Sequence, residues 1–135
     1  MILFDTSFLI DLVNGDAGAV KLASEADAKG EIAALSVISM HEYLLGIYLA
    51  YYGRASFDEK LESAERDLSK FRILPLTKDM VRISSKIQMQ MIRKGKAIGI
   101  NDIHIGATAL YYGAEMVSRN AKHLGEIPDL RLSGY

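Results

Sequence analysis

Four short polar interruptions of apolar runs hold the residues that could do chemistry. They are Asp5 after Ile2-Leu3-Phe4, Glu42 at the head of a long apolar segment, Asp102 at the head of another, and Ser118-Arg119-Asn120 after Glu115-Met116-Val117. Carboxylates and an amide are hard oxygen donors, the ligands that Mg²⁺ or Mn²⁺ takes. A cation held this way polarises a phosphate and lowers the pKa of a water beside it, so phosphodiester hydrolysis is the chemistry this set suits. Each acid also has a plainer role open to it. Asp5, followed by Thr6-Ser7, can cap a helix. Glu42 closes Ser39-Met40-His41-Glu42, a capping-box spacing. Asp102, preceded by Asn101, sits where a helix dipole favours an acid.

The elements around these residues decide whether they meet. Residues 2–5, 32–37, 72–76, 114–118 and 130–132 read as strands, with Pro75 moving the third towards a sheet edge or a strand end. Between them lie a short helix over 8–13 closed by Asn14-Gly15 and a second over about 20–26. A long helix follows from the Ser39 box to about Tyr52, then an amphipathic one from Ser56 to Phe71. A Thr77-capped helix runs to about Arg93, and a last one from Asn101-Asp102 to Tyr112, with Gly113 at its C-terminal turn. Strands alternating with helices predict a parallel sheet with right-handed crossovers in a single three-layer α/β/α domain over 1–135. A parallel sheet gathers its strand C-termini at one edge, where open α/β sheets hold their ligands. Asp5, the segment before Glu42 and Ser118–Asn120 then become neighbours, and residues 99–102 need only return a helix N-terminus there. Three carboxylates so close raise one another's pKa unless a cation joins them.

Composition narrows the classes. Of 135 residues, half are hydrophobic and about a quarter charged, which fits a globular chain long enough to bury a core. The absence of cysteine excludes disulfides, thiol catalysis and Cys-based zinc sites. Met1-Ile2-Leu3-Phe4 has no basic flank and meets Asp5 at once, so it does not read as a signal peptide. No apolar run reaches the roughly 18 residues of a membrane span. The expectation is a cytoplasmic protein. Net charge is −1, but residues 1–70 hold 6 Lys/Arg against 12 Asp/Glu, and residues 71–135 hold 10 against 5. A basic face on the second half could steer a polyanion.

Here the sequence resembles a known family. Asp5-Thr6-Ser7-Phe8-Leu9-Ile10-Asp11 looks like the opening of PIN-domain ribonucleases, especially the toxin subunits of VapBC-type toxin–antitoxin pairs. Ser36-Val37-Ile38-Ser39-Met40-His41-Glu42-Tyr43 is similar to their second acidic block. Asn101-Asp102-Ile103-His104-Ile105-Gly106-Ala107-Thr108-Ala109 is similar to the third, and Val117-Ser118-Arg119-Asn120-Ala121-Lys122-His123-Leu124 to the fourth. The blocks come in the family's order and span nearly the whole chain. The resemblance implies a Mg²⁺- or Mn²⁺-dependent endoribonuclease with Asp5, Glu42 and Asp102 as metal-binding acids. It also implies RNA as substrate, an antitoxin protein as partner and a homodimer. The fourth position, often Asp in the family, is Asn120 here, whose amide can support a water but cannot act as a base. Ser118 matches a small hydroxyl residue that supports this site, and Thr6 is assigned the same role. Asp11 reads as a surface acid.

Other features are less specific. His41, His104 and His123 lack the His-x₃-His spacing of a helical zinc site, and neither a P-loop nor a nucleophile elbow is present. Arg93, Lys94 and Lys96 read either as cations at a helix end or as phosphate contacts leading to Asp102, with Arg119 and Lys122 on the other side. Tyr43, Leu44, Ile47, Tyr48, Tyr51 and Tyr52 make a stripe wide enough to supply both core and an interface. Two rivals stay open: an RNA-processing or DNA-directed nuclease on the same scaffold, and a PIN-like RNA-binding module without cleavage.

Overall fold

A computed structural model describes residues 1–135. The apolar runs form five short strands: β1 (Ile2–Phe4), β2 (Ala33–Ser36), β3 (Arg72–Leu74), β4 (Glu115–Val117) and β5 (Leu132–Ser133). They pair in the order β3-β2-β1-β4-β5, and every pairing is parallel. Seven helices connect and cover them: α1 (Thr6–Val13), α2 (Ala17–Ala28), α3 (Val37–Tyr51), α4 (Phe57–Leu68), α5 (Lys78–Arg93), α6 (Ile100–Tyr112) and α7 (Ala121–Leu124). The expected three-layer α/β/α architecture is therefore the observed one. No helix is long and apolar enough to cross a membrane.

Alternation along β1 sets the two core layers, because successive strand side chains point to opposite faces. Leu3 packs with Ala34, Leu74 and Met116 against Ile87 and Met91 of α5 and Ile103 of α6. Phe4 packs with Leu35 and Val117 against Phe8 and Leu9 of α1, Ala26 of α2, Tyr43 of α3 and Leu68 of α4. The Phe4 and Phe8 rings stack with centroids 4.0 Å apart, and Tyr135 meets Phe8 edge-on at 5.2 Å.

Several boundaries differ from the sequence expectation, each for a local reason. Helix α3 starts at Val37, capped by Ser36, whose Oγ accepts from the Ile38 N–H at 3.1 Å. The Ser39 capping box is not formed: Ser39 already lies inside the helix, and its buried Oγ has no partner. Ser56 precedes α4 in helical conformation and makes no side-chain cap. The last strand is Leu132–Ser133, set by its parallel register with Met116 and Val117. The single turn α7 carries no periodic signal and was not expected. Thr77 does cap α5, β3 is an edge strand as Pro75 required, and Gly113 ends α6 at φ +60°, a left-handed turn that glycine enters without strain.

Phe8 is fully buried between the sheet, Phe4 and Tyr135. Phe8→Ala is expected to lower unfolding stability by about 3–5 kcal/mol, the range for a buried phenyl ring whose cavity cannot collapse. Urea denaturation would measure it, and a loss below about 1 kcal/mol would mean that the α1 layer repacks freely.

Candidate functional site

Strand β1 ends at Phe4, and Asp5 turns the chain into α1. Its N–H still bonds the sheet through Val117 O at 3.1 Å, while Oδ1 accepts from the Phe8 N–H at 2.9 Å and from Ser7 Oγ at 2.7 Å. Asp5 is thus the N-cap of α1, and it is only 5% exposed. The cap occupies Oδ1 alone; Oδ2 makes no hydrogen bond within the protein.

Freed from the capping box, Glu42 reaches out from the second turn of α3 towards α1 and α6. Oε1 accepts from Thr6 Oγ1 at 2.7 Å, and Oε2 from Asn101 Nδ2 at 3.4 Å. Asp102 stands in the first turn of α6, where the helix dipole favours an anion. Three elements thus carry one acid each to the C-terminal edge of the sheet. The three acids line one cavity of about 200 Å³ together with Thr6, Ser7, Ile10, Arg119 and Asn120.

The electrostatics of this cavity are lopsided. No ion pair in the structure includes Asp5, Glu42 or Asp102. Burial pushes the Asp102 carboxyl above its ordinary range, and Glu42 and then Asp5 push it further, against an opposing pull from His123. No three His, Cys, Asp or Glu side chains are gathered tightly enough to clasp an ion as they stand. The fit to a hard divalent cation lies in the donors: three carboxylates facing one space, none of them in an ion pair, with Arg119 at the wall engaged to Asp11 instead. Like charges spread until a cation draws them together.

The remaining sequence candidates separate. Thr6 braces Glu42. Asn120 lines the cavity, and its N–H donates to Ser118 Oγ at 2.9 Å. Ser118 itself is fully buried and accepts from that N–H, so it supports the loop from beneath. Lys94 is the exposed C-cap of α5 and borders neither this cavity nor the polar one beside it. Lys96 borders that second cavity, and Arg119 borders both.

Asp11 is not a free surface acid. Its side chain is 15% exposed; both of its oxygens accept from Arg119 Nη1, at 2.9 and 3.2 Å, and Oδ2 also accepts from the Tyr135 hydroxyl at 2.6 Å. That carboxylate, with burial as the larger cause, raises the Tyr135 phenol well above its ordinary pKa. No local pattern could have revealed these contacts, because the partners lie 108 and 124 residues from Asp11. His123 was likewise missed as a neighbour of the acids. Its only signal was the basic run that follows Ser118.

Comparison with known proteins agrees with this geometry. The family model described as PIN domain matches residues 2–129. The chain is 27% identical over 131 residues to a protein named Ribonuclease VapC19 from Mycobacterium tuberculosis, covering 97% of this chain and 98% of that one. It is 27% identical over 135 residues to a Ribonuclease VapC from Rickettsia bellii, covering 97% and 93%. Among solved structures, VapBC2 from Rickettsia felis bound to a promoter DNA fragment superposes with a TM-score of 0.85 at 23% identity, over 100% of this chain and 99% of that one. FitAB bound to an IR36 DNA fragment superposes at 0.86 and 24%, over 99% and 94%. At these identities the structural likeness shows the fold.

The raised Asp102 pKa has a sign that stability measurements can read. A carboxyl that ionises less readily in the folded chain costs stability above its folded pKa, and that cost vanishes as pH falls below its unfolded value. Asp102→Asn is therefore expected to melt higher than wild type at neutral pH in EDTA, with the difference shrinking as pH falls through the carboxylate range. Calorimetry would check it; an Asn variant that melts lower at neutral pH would mean that the three acids do not crowd one another.

Proposed function

The chain belongs to the PIN-domain family, and we propose that it is an endoribonuclease requiring Mg²⁺ or Mn²⁺ and the toxin of a toxin–antitoxin pair. The observation that carries this reading is the meeting of Asp5, Glu42 and Asp102 at one cavity, three acids of which none is in an ion pair. These three residues would hold the cation. Bound there, it would supply neutralisation of the scissile phosphate and a lowered pKa for water. The chain's own residues do the positioning. Thr6 fixes the Glu42 carboxylate, the Phe8 N–H and Ser7 hydroxyl fix that of Asp5, and Asn120 presents an amide that orients without taking a proton.

The relatives named ribonuclease support RNA as the substrate, and a cytoplasmic site of action goes with that reading. The solved VapBC and FitAB complexes support an antitoxin partner. Leu45, Tyr48, Leu49 and Tyr52 stand exposed along α3, apolar surface of the kind a homodimer or an antitoxin covers. On this reading residues 1–135 act as one nuclease domain. The rival reading, RNA binding without cleavage, draws on the amide at Asn120.

Cleavage assays decide between them. Asp5→Asn, Glu42→Gln and Asp102→Asn are each expected to abolish RNA cleavage while the protein stays folded, because each substitution keeps the side chain's size and removes only its charge. EDTA should stop the wild type, and Mg²⁺ or Mn²⁺ should restore it. Cleavage at the wild-type rate in EDTA, or in all three variants, would remove the assignment; folded wild type that binds RNA but never cuts it would favour the rival.

A further inference from the structure

The acid cavity shares a wall with a larger one. Arg119 and Asn120 border both, and the second cavity, of about 470 Å³, is completed by Lys96, Lys122, His123 and Glu126. No residue in that lining is apolar. Lys96, Arg119, Lys122 and His123 are all exposed and all come from the half of the chain that carries the cationic excess.

The composition of this lining limits what it can hold. Recognition of bases on single strands draws on broad aromatic or apolar surface for stacking, and the lining holds no Phe, Tyr, Trp or aliphatic side chain. Ammonium and guanidinium groups around a polar hollow instead suit phosphate oxygens. The one anion, Glu126, lies 3.8 Å from Lys96 Nζ in a pair whose side chains are about half exposed, a loose contact that a phosphate can displace. Arg119 is held more firmly. A single nitrogen, Nη1, meets both oxygens of the largely buried Asp11, and the Tyr135 hydroxyl fixes that carboxylate from its other side. The other guanidinium nitrogens make no side-chain bond and stay available at the wall between the two cavities.

We propose that this second cavity is the subsite for the phosphodiester next to the scissile one, gripping RNA by charge and ignoring base identity, with Asp11 as the positioning residue that aims Arg119. The inference rests on the ribonuclease reading for its substrate, and its test is independent of cleavage.

The probe is a short single-stranded oligoribonucleotide in which one linkage at a time is a neutral methylphosphonate. Binding is followed by fluorescence anisotropy against salt, in EDTA, on the Asp102→Asn protein with and without Lys96→Gln plus Lys122→Gln. Neutralising one particular linkage should flatten the slope of log K against log salt by about 0.7, the share of one single-strand phosphate. The double lysine variant should lose part of the same slope on unmodified RNA, and its loss and that of the neutral linkage together should fall short of their sum, the remainder belonging to Arg119. Exchanging the bases beside the linkage should change nothing. Asp11→Asn should lower affinity in the same linkage-specific way, an effect that a purely structural role would spread over all linkages. Losses that add in full at every linkage, an unchanged slope in the lysine variant, or a preference that follows the base would each overturn the subsite. RNA bound with the expected coupling but never cut by wild type would leave the subsite standing and remove the nuclease reading; RNA cut by wild type with fully additive losses would do the reverse.

Discussion

Three carboxylates held near one another, none of them in an ion pair, are the constraint around which this molecule is arranged. Left to itself, such a cluster opposes folding, since each charge raises the cost of ionising the next. The fold tolerates it because each acid is also held by a neutral or dipolar group. Asp5 receives an N–H and a hydroxyl, Glu42 a hydroxyl and an amide, and Asp102 sits at a helix N-terminus. None of these partners cancels the charge. The cavity is held together and keeps its excess of negative charge.

The scaffold brings the acids together by depth as well as by order. Strand β1 is central, so the residue after it emerges between β2 and β4, where the sheet's connections part to either side. Helix α6 must then lie close enough for its first turn to reach the same edge. A Cβ at Gly106 would come within 3.0 Å of Ile127 Cδ1, so the missing side chain lets α6 settle against the segment that follows α7.

Much of this was legible in the chain. The alternation of strands and helices gave the parallel three-layer arrangement, and the polar residues that end apolar runs fell at its C-terminal edge. What the sequence hid was which of two local bonding patterns would win, and which distant groups would pair. Ser39-x-x-Glu42 fits a capping box, yet Ser36 at the strand end begins the helix earlier, so Glu42 is left to face α1 and α6. Ser118 and Asn120 are two residues apart, but the turn buries one and exposes the other. The Asp11, Arg119 and Tyr135 contacts join opposite ends of the chain, and no spacing rule reaches that far. Even the ambiguity over Asp5 was real, because it both caps α1 and faces the cavity.

That double duty is divided between two atoms, with Oδ1 engaged to the backbone and Oδ2 left to the cavity. An asparagine would keep the first atom's job and forfeit the second's. In a mutational scan scored by cellular abundance, this position would therefore look permissive to asparagine and intolerant of alanine, the profile of an ordinary helix start. Only a scan scored by activity would register it as a chemical position, and the gap between the two maps would outline the cavity residue by residue.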